Sequence, residues 1–215
     1  MATITPAILA GNQEEYKYQI ERIANFAERI HIDITDGMFA QNYTIPENQV
    51  WWPPEIKADI HMMVSRPSDH LATIIAMNPN MVIFHGECEE ELAPIFRKLK
   101  EETMIKPAVA LLRSTVPETI ADAIKEAEHV LIFSGNLGEM GGRANMMQLE
   151  KIRLVKEINP NVEIGWDGGA NLSNVFNLVQ SGVDVVNVGA AFAQSPEPEQ
   201  VYKAMVDEIN RKGVF

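Results

Sequence analysis

The feature that most constrains this chain is a strict alternation, in which eight short apolar runs of β character are separated by helical patterns or, once, by a long loop. The runs are 4–10 (ITPAILA), 29–36 (RIHIDITD), 58–64 (ADIHMMV), 81–87 (MVIFHGE), 105–111 (IKPAVAL), 129–135 (HVLIFSG), 162–167 (VEIGWD) and 183–189 (VDVVNVG). Helical periodicity with capping or first-turn proline signals occupies 13–27, 67–77, 91–102, 116–127, 144–158, 172–181 and 196–210. Only the second run lacks a clear helix after it. There MFAQNYTIPENQVWWPPEIK, with three prolines and two adjacent tryptophans, reads as a long loop holding a single helical turn.

Apolar strands that barely alternate are buried on both faces, and β-then-α order calls for a parallel sheet with crossover helices. Eight units in 215 residues average roughly 27 residues each, enough to close a (β/α)₈ TIM barrel spanning 1–215 as one domain. A doubly wound open sheet is the alternative, but it would carry a glycine-rich fingerprint after its first strand, and PAILAGNQEE has none. No Gly- or Ser-rich linker marks a boundary.

Composition narrows the partners. Eighteen Lys and Arg against thirty Asp and Glu leave a formal charge of −12, which argues against nucleic acid or an anionic membrane surface and for a small ligand or another protein. The single cysteine, Cys88, cannot form an internal disulfide, and there is no basic leader or apolar run of about 18 residues. A cytoplasmic protein is expected, with assembly into a homo-oligomer left open.

In a barrel of this kind, chemistry sits at the C-terminal ends of the strands. His31 and Asp33 share a face of the second run, with Asp36 and Gly37 at its exit; His61 lies on the third, His85 and Glu87 on the fourth, and Asp167 ends the seventh. Each would be costly in an apolar interior unless paired or bound to a metal. Two imidazoles and two carboxylates from three strands suit one divalent ion such as Zn, Fe, Mn or Co. Asp36 reads instead as a loop-orienting residue. The acidic run Glu87, Glu89, Glu90, Glu91 reads as a solvated loop and helix start. One of Met62 and Met63 should point into the barrel mouth. Gly141–Gly142, Gly168–Gly169 and Gly189 before Ala190 form a second signal, because backbone amides exposed after strands six to eight are where such barrels hold phosphate.

Taken together, PAIL (6–9), HIDITDGMF (31–39), DIHMMVSRP (59–67), FHGE (84–87), GG (141–142) and WDGGAN (166–171) resemble the ribulose-phosphate 3-epimerase family nearly end to end. The resemblance implies a metal held by His31, Asp33, His61 and Asp167, with Asp33 and Asp167 as the acid/base pair. It also implies substrate contacts from His61, Met63, Gly141, Gly142, Gly168, Gly169, Gly189 and Ala190. The implied reaction converts D-ribulose 5-phosphate to D-xylulose 5-phosphate, in the pentose phosphate pathway. Ala7 and Ala190 stand where the family has hydroxyl residues, Thr35 where it has methionine, and the loop NLGEMGGR departs from its usual PGFGGQ. Arg143 in that loop is expected to add a cationic phosphate contact. These departures keep two alternatives open: a 3-epimerase of another ketose phosphate, such as a ketohexose 6-phosphate, and a sugar-phosphate-binding barrel without turnover.

Overall fold

The computed structural model describes residues 2–211 and closes the eight strands into one parallel barrel in sequence order. These are β1 (Thr3–Ile8), β2 (Arg29–Thr35), β3 (Lys57–Met63), β4 (Met81–His85), β5 (Lys106–Leu111), β6 (His129–Phe133), β7 (Glu163–Asp167) and β8 (Val185–Val188). Around them lie α1 (Gln13–Ile23), α2 (Leu71–Met77), α3 (Leu92–Glu102), α4 (Ala121–Glu126), α5 (Glu150–Ile158), α6 (Val175–Gln180), α7 (Ala190–Ala193) and α8 (Pro198–Ile209). The expected barrel is therefore present. No described helix is long and apolar enough to cross a membrane.

Several helices are shorter than their periodicity. The patterns at 67–77 and 116–127 each open with a 3₁₀ turn, Pro67–Asp69 and Pro117–Ile120, before the α-helix begins. A proline at the entry lacks an N–H, and a tighter first turn accommodates it. The loop after β2 holds one 3₁₀ turn, Glu47–Gln49. The four-residue α7 was too short to give a periodic signal.

Strand side chains alternate between two environments, although both are buried. Outward residues such as Ile30, Ile32, Ile60, Met62, Phe84, Ile132 and Trp166 join the helices in the main core. The apolar interior of the barrel is a small separate cluster of Met81, Ile83, Ala108, Ala110 and Leu131. Much of the remaining buried interior is polar, including Thr5, His31, Asp59, His61, His85, His129 and Asn187.

The N-terminal end of the barrel is closed by an ion network. Arg29 Nε donates to Asp59 Oδ2 (2.5 Å) and its Nη2 to Glu163 Oε2 (3.0 Å), while Asn80 Nδ2 donates to Asp59 Oδ1 (2.6 Å). His129 Nδ1 lies 2.7 Å from Glu163 Oε2. A side-chain carbon at Gly165 would collide with the His129 imidazole, so the smallest residue stands there. Burial alone would raise the Glu163 carboxyl, but the His129 and Arg29 donors outweigh it and hold the group far below the usual carboxylate range. A carboxyl depressed by folding stabilises above its ordinary value of 4.5 and loses that contribution as pH falls through the folded value. Glu163→Gln is therefore expected to lower the melting temperature at neutral pH, with the gap from wild type closing as the medium is acidified below 4.5. Thermal unfolding followed across that range checks the sign; a gap that widens in acid refutes it.

Candidate metal centre and active site

Parallel pairing of β2 with β3 runs in register through seven residue pairs and sets Asp33 beside His61. On the other side of the mouth, β7 sets Asp167 between Phe133 and Asn187. Four ligand atoms thereby converge to within 4.8 Å of one another. His61 Nδ1 lies 2.8 Å from Asp33 Oδ1 and 3.8 Å from Asp167 Oδ2, while His31 Nε2 lies 3.2 Å and 3.7 Å from the same atoms. The two imidazole nitrogens are 3.2 Å apart. Ligands at about 2.0–2.2 Å around a tetrahedral ion are separated by about 3.4 Å, so this donor set fits one divalent transition ion.

The electrostatics separate the two carboxyls. Burial opposes ionisation of Asp33, but His31 and His61 overcome it and hold the group well below the usual carboxylate range. Burial raises the Asp167 carboxyl, and the negative charge of Asp33 raises it further. Burial would lower His31, yet Asp33 and Asp167 more than reverse this and keep it above its ordinary value. His85, buried beside the cluster, is pushed down to about 4 chiefly by burial and is neutral.

The loops over the site are tied down by short polar contacts. Asp36 Oδ1 accepts from the amides of Met38 (2.8 Å) and Phe39 (2.9 Å), and its Oδ2 accepts from Ser65 N (2.8 Å), which joins the loops after β2 and β3 as a loop-orienting role requires. The Thr35 hydroxyl donates to Asn42 O (2.5 Å), and Asn42 Nδ2 donates to Gly138 O (2.8 Å) across the mouth. Thr35 thus anchors the long loop that reaches the segment after β6. A carboxylate that accepts amide hydrogen bonds contributes more than a neutral acceptor, so Asp36→Ala is expected to cost about 1–3 kcal/mol in urea unfolding. A variant as stable as wild type would contradict this role.

Above the cluster lies a cavity of about 260 Å³, lined by Asp33, Asp167 and Met63. Met62, the other methionine of that pair, packs outward into the main core. His31 and His61 are fully buried and do not line the cavity. Gly141, Gly142, Gly168, Gly169, Gly189 and Ala190 all line it. Left-handed backbone at Gly168 (φ 105°) and Gly169 (φ 72°) brings them against the backbones of Gly135 and Ala144, where no side chain would fit. Arg143 is exposed and is not among the lining residues. The cavity also includes Asn136, Asn171, Asn187 and Gln194, which sequence reasoning did not select. Asn187 had a readable signal: it is a polar residue inside the apolar run of β8.

The match to the ribulose-phosphate 3 epimerase family model covers residues 3–193. Among curated relatives, the protein named ribulose-phosphate 3-epimerase of Helicobacter pylori strain J99 is 31% identical over 202 residues, covering 90% of this chain and 92% of its own. That of Schizosaccharomyces pombe is 25% identical over 216 residues, covering 97% and 94%. Among solved structures, a 3-hexulose-6-phosphate synthase shares the fold at a TM-score of 0.74 and 14% identity, over 96% of this chain and 99% of that one. Orotidine 5'-phosphate decarboxylase from Pyrococcus horikoshii OT3 follows the same barrel at a TM-score of 0.68 and 14% identity, over 98% and 100%. With the strand order, the convergent His/Asp cluster and the family match in agreement, this chain belongs to the ribulose-phosphate 3-epimerase family.

Proposed function

We propose that the chain is an isomerase that inverts C3 of a ketose phosphate, interconverting D-ribulose 5-phosphate and D-xylulose 5-phosphate. The observation that carries this reading is the pair of half-buried carboxyls, Asp33 on β2 and Asp167 on β7, which line one cavity and whose surroundings shift their acidities in opposite directions. Inversion needs a base on one face of the carbon and an acid on the other. The ionised Asp33 takes the C3 proton, and the electron pair of that C–H bond moves to the C2 carbonyl oxygen, leaving an enediolate. Asp167, the more readily protonated of the two, delivers a proton to C3 from the opposite face while the electron pair comes back to carbon, and proton exchange of both carboxyls with solvent restores the starting state. In the reverse direction the two exchange roles.

His31, Asp33, His61 and Asp167 would hold a divalent ion, which when bound supplies positive charge to offset that developing on the sugar oxygens. The amides around Gly141, Gly142, Gly168, Gly169 and the Gly189–Ala190 turn are proposed to hold the phosphate as neutral donors, suited to an acidic chain. Met63 supplies an apolar part of the cavity wall at the end of β3. Ala7 and Ala190, both small residues on the cavity wall, favour a second substrate for comparison, a ketohexose 6-phosphate. A barrel that only binds sugar phosphate has no use for two opposed carboxyls of different acidity.

Incubation with ribulose 5-phosphate in deuterated water is expected to place deuterium at C3, read by NMR, and a metal-replete chain that exchanges no C3 proton of either sugar refutes the reading. Asp33→Asn and Asp167→Asn should each lower kcat by at least about 100-fold, with metal content measured to separate lost proton transfer from a lost ion. Because Arg143 is exposed outside the cavity, Arg143→Gln is expected to leave KM within about twofold, whereas removal of a charge-assisted phosphate bond would raise it roughly 10-fold or more.

A further inference from the structure

His85 ends β4, and Glu87 lies two residues beyond it; neither belongs to the four-residue cluster. His85 is fully buried and sits near the rings of Phe39 and Phe133, at centroid distances of 4.8 Å and 5.6 Å. Its Nε2 lies 2.9 Å from Nε2 of His61, the ring whose Nδ1 faces the cluster. Its Nδ1 lies 3.3 Å from Glu87 Oε2. Glu87 is itself fixed, because its Oε1 accepts from Leu112 N at 2.9 Å and from the Thr115 hydroxyl.

With a cation held at His61 Nδ1 in place of the proton that Asp33 would otherwise draw there, counting protons along this line leaves one arrangement. A neutral imidazole has one N–H and one lone pair, and a carboxylate only accepts. Glu87 therefore requires the His85 proton on Nδ1, which turns the lone pair of His85 Nε2 toward His61. His61 then donates from Nε2 and presents the lone pair of Nδ1 to Asp33 and Asp167, where a cation would sit. We infer that Glu87 and His85 are positioning residues that set the tautomer and ring orientation of His61 for cation binding. His31 has no such support, since its Nδ1 is buried without a hydrogen-bond partner among the described residues. The inference rests on the metal reading above, and the test separates the two.

The test is ¹⁵N-histidine NMR of the full chain, metal-free and with zinc, together with zinc affinity from chelator competition. His85 is expected to carry its proton on Nδ1 in the zinc form. In the zinc form, a ¹⁵N–¹⁵N coupling should run from His61 Nε2 to His85 Nε2 across their hydrogen bond. Glu87→Gln keeps an oxygen for the Leu112 and Thr115 donors and turns an NH₂ toward His85. That substitution should move the His85 proton to Nε2, abolish the coupling and weaken zinc binding about 10–100-fold, as loss of a partner behind a metal ligand does elsewhere. If it fails to fold, His85→Phe keeps a ring in the same space and is expected to weaken zinc to a similar degree. A wild-type chain that binds no zinc overturns the metal reading. A zinc-binding chain with the His85 proton on Nε2, or a folded Glu87→Gln with unchanged tautomers and affinity, overturns the relay alone.

Discussion

The structure depends on the cost of placing ionisable groups inside an apolar barrel and on how that cost is offset. An isolated buried carboxylate is too unfavourable to survive, so such groups persist only where partners or a cation meet them. Asp33 is the hub at the open end: both cluster histidines lie within 3.2 Å of its Oδ1, and their donors hold it ionised. Its charge in turn raises Asp167, so the acidities of the two carboxyls are one coupled property of the strand arrangement rather than two local ones.

The barrel's two ends use the same residue types for different ends. At the closed end Arg29 supplies a permanent cation between Asp59 and Glu163. At the open end, among the described residues, no Lys or Arg forms an ion pair with Asp33 or Asp167, and only imidazoles face them. The first arrangement contains its own permanent cation. The second leaves a place for a positive charge, and this contrast distinguishes a structural network from a reactive one more sharply than residue identity does.

Most of the architecture was legible because parallel strands buried on both faces and their crossover helices leave a strong pattern in the chain. His31, Asp33, His61 and Asp167 were legible for the converse reason: each interrupts an apolar run. Asn187 interrupts β8 in the same way and was passed over, since an amide carries no charge to draw attention. The short starts of α2 and α4 were hidden because proline at the first turn is compatible with either helix type. Gly141 and Gly142 line the cavity while their neighbour Arg143 lies outside its lining, because the direction of a long side chain depends on backbone angles that composition does not encode. The role of Thr35 likewise became visible only with Asn42 O in place as its acceptor.

The unbroken register between β2 and β3 has a further consequence for how such a molecule can diversify. Because Asp33 and His61 are neighbours across a ladder, and Asp167 belongs to the same closed sheet, their spacing is a property of the rigid cylinder and owes little to the connecting segments. The loops above can lengthen, shorten or exchange residues while the reactive groups stay where the sheet holds them. Selection can therefore retune what enters the cavity without rebuilding what acts there, which makes the rim of this barrel its evolvable part and the sheet its inherited one.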